Sequence, residues 1–122
     1  MDIRERLEEL SHLKAGWLEG DGLAPSHAGL IWLSKAFDGY FISGESVLPY
    51  LYPTPEGNIR AEWSIAPHEI SLDIDLNSHR ADYHDLNLDD NAEDPRSLNL
   101  DESADWQWLA TKIEETARVP HA

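Results

Sequence analysis

The chain contains no cysteine, only nine lysines and arginines in 122 residues, and no long uninterrupted apolar run. The first absence excludes disulfides, thiolate metal centres and cysteine nucleophiles together. The second leaves 24 acids in large excess and a formal charge of −15. Phosphate recognition relies on concentrated Lys and Arg, so direct nucleic-acid binding is disfavoured, as is docking to an anionic membrane. The third excludes a membrane-spanning helix, which needs roughly eighteen or more apolar residues. Met1 to Lys14 is charged and amphipathic rather than the apolar core of a signal peptide. A cytoplasmic, bacterial-type protein is the expected setting.

What is present argues for a folded interior. The composition is 41% hydrophobic with five tryptophans, too apolar for a solvated acidic tail. The length suits one domain, read here as residues 1–118 with 119–122 as a frayed tail. Ile3, Leu7, Leu10 and Leu13 recur at helical steps, which predicts a first helix running to Lys14 and ending at Gly16. Asp2, three residues before Glu5, is placed to cap it. Residues 16–25 form a glycine-rich loop, but Glu19 and Asp21 would repel an anion and no Walker Lys-Ser/Thr follows. The loop reads as a structural turn with Trp17 tucked into the core. Ser26 then caps a second helix reaching about Ser43. Its residues Leu30, Leu33, Phe37, Tyr40 and Phe41, widened by Ile31, Trp32 and Ala36, predict burial on most sides against a sheet.

From Val47 the period changes to two. Strands are predicted at Val47–Tyr52, Ile59–Ile65, Ile70–Leu76 and Arg80–Leu88, joined by short turns. Asp89–Ser97 reads as a polar loop, with a short return at Ser97–Leu100. Trp106, Leu109, Ala110, Ile113 and Ala117 mark a final helix capped by Asp101 or Ser103. The expected fold is α+β, an antiparallel four-stranded meander with helices packed on one face in the order ααββββα.

No catalytic constellation stands out. There is no G-x-S-x-G elbow or S-x-x-K pair. His84 and Asp85 are strand neighbours that point to opposite faces. Asp73-x-Asp75 places two carboxylates about 7 Å apart on one face. The 89–94 acidic loop has Asp94 where an EF-hand needs glycine and Leu100 where it needs glutamate. His68, His79 and His84 match no zinc-ligand spacing. These patterns predict no enzyme, no cofactor and no metal centre.

Two stretches resemble an uncharacterised group of small acidic bacterial proteins. One is Gly16-Trp17-Leu18-Glu19-Gly20-Asp21-Gly22-Leu23-Ala24-Pro25, similar to that group's GWxxGxGxxP loop. The other is Tyr52-Pro53-Thr54-Pro55-Glu56-Gly57-Asn58-Ile59-Arg60-Ala61-Glu62-Trp63, similar to its YPTPxGxIxxEW hairpin. The resemblance spans roughly residues 10–85 and implies architecture rather than activity: a loop leading into a helix, and a hairpin enclosing a tryptophan.

Charge distribution is the most informative feature. Between Asp73 and Asp105 eleven acids stand against Arg80 and Arg96, which predicts one anionic patch over strand three, its neighbour and the loop beyond. Trp108 lies about 200° around the helix from Trp106, so the helix is either wedged between two layers or presents Trp108 as an exposed anchor. The expected function is a non-enzymatic module that binds a basic partner protein through Asp73, Asp75, Asp82, Asp85, Asp89 and Asp90, with Trp108 as the apolar contact. Such a module would be an antitoxin-like neutraliser, an inhibitor or nucleic-acid mimic, or an accessory subunit. Two alternatives stand beside it: divalent-cation binding by the 89–94 loop, and charge that serves solubility alone.

Overall fold

The computed structural model describes residues 2–41 and 46–118. Three helices and five strands follow in the order α1 (Ile3–Leu10), α2 (His27–Tyr40), β1 (Tyr50–Pro53), β2 (Ile59–Ile65), β3 (His68–Ile74), β4 (Arg80–Asn87), β5 (Glu93–Asn99) and α3 (Ser103–Arg118). The strands form one antiparallel meander with spatial order β1-β2-β3-β4-β5. The fold class is therefore α+β, with a fifth strand beyond the four expected. No helix among the described residues is long and apolar enough to cross a membrane.

The extra strand is β5, whose first half was expected to be loop. Its sequence EDPRSLN carries no alternation, because only Leu98 is buried. A strand at a sheet edge can be made by backbone pairing alone, and Pro95 and the charges beside it suit that position. Pairing with β4 from Arg80↔Asn99 to Leu86↔Glu93 builds it. Polar Asx turns at the β4–β5 corner, with Asn91 at φ 59°, set the reversal.

Helix α1 is shorter than its apolar period suggests. Asp2 accepts the Glu5 N–H as expected, but the helix stops at Leu10 and Ser11 caps it, so Leu13 and Lys14 lie beyond the end. Helix α2 starts on the Ser26 cap and ends at Tyr40, short of the expected Ser43, because Phe41 is already extended and caps it; the 119–122 tail lies outside the described residues. Only the stripe Gly29, Leu30, Leu33 and Phe37 is buried in α2, and Ile31 is 57% exposed. The helix forms part of an outer layer flanked by α1 and α3 rather than a central rod. At Gly29 the helix comes close to the β3–β4 turn: a Cβ there would stand 2.6 Å from the Leu76 Cβ. Trp17 is half-buried rather than in the core, its indole N–H donating to the Leu23 carbonyl over Gly22.

The three helices share one core with the inner sheet face. Ile59, Ala61 and Trp63 of β2, Ile70, Leu72 and Ile74 of β3, and Ala81 and Tyr83 of β4 meet Leu7, Leu33, Phe37, Trp106, Leu109 and Ile113. The buried indoles find acceptors, Trp63 in the Val47 carbonyl and Trp106 in the Leu100 carbonyl, so they bring area without an orphaned N–H. The opposite sheet face carries no helix among the described residues. That asymmetry positions the candidate site.

Candidate functional site

Strand register dictates which side chains share the uncovered face. Opposed residues in an antiparallel ladder point the same way, so the pairings Tyr52↔Arg60, Arg60↔Asp73, Asp73↔Asp82 and Asp82↔Ser97 define one row across all five strands. A second row runs Tyr50, Glu62, Ser71, His84, Pro95, and a third Ser64, Glu69, Leu86, Glu93. The face thus bears Glu62, Glu69, Asp73, Asp82 and Glu93 against Arg60 and Arg80, with exposed Tyr50 and Tyr52 at its β1 margin.

Arg60 is the hub of this surface. Its Nη1 donates to Asp73 at 3.2 and 3.3 Å, and its Nε lies 3.7 Å from Glu62. Glu69 accepts from the Ser64 hydroxyl, and His84 lies 3.2 Å from Glu93. Asp82 has no ion-pair partner among the described residues although it stands directly opposite Asp73. Like charges opposed across a ladder repel, so this corner holds an anionic charge that Arg60 compensates only on the Asp73 side. An open depression of about 840 Å³ lies here, lined by Tyr52, Arg60, Asp73, Asp75, Arg80 and Asp82 together with the β1–β2 turn. Asp75 closes one end. Its carboxylate accepts the Ser78 and Asn77 N–H groups, and those two bonds hold its pKa below the ordinary value.

The structure separates the residues grouped by sequence. Asp73 and Asp82 meet on the uncovered face. Asp75 sits at the β3–β4 turn beside them, and Asp89 and Asp90 are exposed in the β4–β5 turn. Asp85 is placed differently: it lies on the helix side, 6% exposed, where both carboxylate oxygens meet the His68 Nδ1 at 2.9 and 3.0 Å. Side-chain alternation is the reason, since Asp82 and Asp85 are three residues apart on one strand. The anionic surface is therefore not the single patch that the count of acids suggests. Trp108 also faces inward. It packs edge-on against Tyr83, centroids 5.0 Å apart, beneath the Arg96 guanidinium at 4.1 Å. Of the two arrangements open for α3, the wedged one is adopted, with Trp106 against Phe37 and Tyr40 and Trp108 against β4 and β5.

His68, His79 and His84 do not converge. His68 ties β3 to Asp85 of β4, and His84 ties β4 to Glu93 of β5. His79 stacks flat on Trp32 at 3.7 Å and bonds Asp101 at 2.7 Å. No group of three or more His, Asp or Glu that could hold a metal ion occurs among the described residues. The depression at Asp82 is lined without any histidine, so the His68–Asp85 pair acts as a strut between strands. Sequence reasoning overlooked Tyr50, Tyr52, Arg60, Glu62 and Glu69. The signal was available in the alternation of 59–65, which sets Arg60 and Glu62 opposite the apolar side. No family model, no curated protein and no solved structure matches this chain.

Proposed function

We propose that this protein is a non-enzymatic binding module whose uncovered, acidic sheet face engages a basic partner protein. It would serve as a neutraliser of the antitoxin kind, as an inhibitor or nucleic-acid mimic, or as an accessory subunit. One observation carries this reading. Five carboxylates share a sheet face that no helix among the described residues covers, against two arginines, and Arg60 is already engaged by Asp73. Electrostatic complementarity of this kind steers encounter and selects partners more than it adds raw affinity. Exposed Tyr50 and Tyr52 supply aromatic area beside the acids, a residue type enriched among interface anchors.

Dimensions and edges define how a partner would dock. Five strands at their usual spacing and rise give a face of roughly 550 Å², below the roughly 800 Å² per partner of a standard interface. The Asp75 turn and the Asp89–Asp90 turn are contiguous with the face and extend it. Strand addition is disfavoured at both edges. Arg6 donates to the Leu51 carbonyl on β1, and β5 carries Pro95 and charged side chains. A partner therefore meets side chains rather than an open backbone edge.

The test is retention of host proteins on the immobilised chain at about 50 and about 300 mM salt, a range over which exposed charge pairs are strongly screened. A Glu69→Lys/Asp82→Lys double variant runs in parallel. The expected result is a basic protein held at low salt, weakened at high salt and lost by the double variant. Identical retention by wild type and variant, or no basic protein held at low salt, overturns the reading.

A further inference from the structure

We draw no further inference here: the strongest candidate, the groove between α1 and α2 lined by Leu7 and Leu30 and rimmed by exposed Ile31, is an unpartnered apolar face, and nothing in the structure shows what covers it.

Discussion

Tyr83 is the most direct probe of the interior that supports the sheet face. The residue is 1% exposed, and its hydroxyl is buried with no hydrogen-bond partner among the described residues. A buried hydroxyl left unpaired costs about 1–3 kcal/mol relative to a solvated one. Replacing Tyr83 by phenylalanine removes that cost and keeps the ring, edge-on to Trp108 at 83°. Tyr83→Phe is therefore expected to stabilise the protein by about 1 kcal/mol, or about 4 °C in melting temperature for a chain of this size. Urea unfolding followed by tryptophan fluorescence reads it. A second component is linked to pH. Burial, with smaller contributions from Asp85 and Asp94, raises the Tyr83 pKa above the ordinary 10.0. In the unfolded chain the phenol ionises near that ordinary value while the folded protein keeps its proton. The stability tied to Tyr83 is thus complete below about pH 10 and is lost as pH rises toward the folded value. The advantage of Tyr83→Phe over wild type is expected to grow by about 1 kcal/mol between about pH 9 and about pH 11. Destabilisation by 1 kcal/mol or more at neutral pH would mean that the hydroxyl is bonded. A gap that stays constant with pH would mean that it is solvated. Either result refutes the reasoning.

Gly29→Ala places a methyl against the Leu76 Cβ and carbonyl, at 2.6 and 2.9 Å. It is expected to cost about 1–3 kcal/mol in urea unfolding even though alanine favours a helix. His68→Ala leaves the buried Asp85 carboxylate without its partner and is expected to cost about 1–3 kcal/mol at neutral pH. Asp85→Asn/His68→Ala, which removes the charge as well, should recover part of that loss; failure to recover any would sink the strut assignment. Asp75 has its pKa lowered by the Ser78 and Asn77 N–H groups, so its contribution is present above the ordinary 3.8 and lost as pH falls through the folded value. The stability difference between wild type and Asp75→Asn should therefore shrink on acidification below about pH 4, as read by acid titration of the urea midpoint.

Strong periodicity made some elements legible. Ile59, Ala61, Trp63 and Ile65, and then Ile70, Leu72 and Ile74, alternate because β2 and β3 are central strands with one dry and one wet face. The stripes Ile3, Leu7, Leu10 and Trp106, Leu109, Ile113 mark helix faces that do enter the core. The caps Asp2 and Ser26 work locally and stand where the sequence puts them. Strand β5 was illegible because edge pairing needs backbone and very little apolar area. The true end of α1 was hidden by Leu13, which continues the apolar period but packs against the core from beyond the helix.

For the candidate site the division is equally physical. By itself the sequence determines the excess of acids, the absence of thiols and the wet residues on each strand, since composition and alternation need no partner strand. Which wet residues meet depends on register, a long-range property decided by the turns and by packing of the dry face. Register set Asp82 opposite Asp73 on one side and Arg60 opposite Asp73 on the other, while parity within β4 sent Asp85 to the helix side, where His68 satisfies it. The direction of Trp108 was decided by how α3 lies across the sheet, because a helix with tryptophans at two angles can bury both only when two layers receive them. A sequence contains the charges; only strand pairing brings two of them face to face.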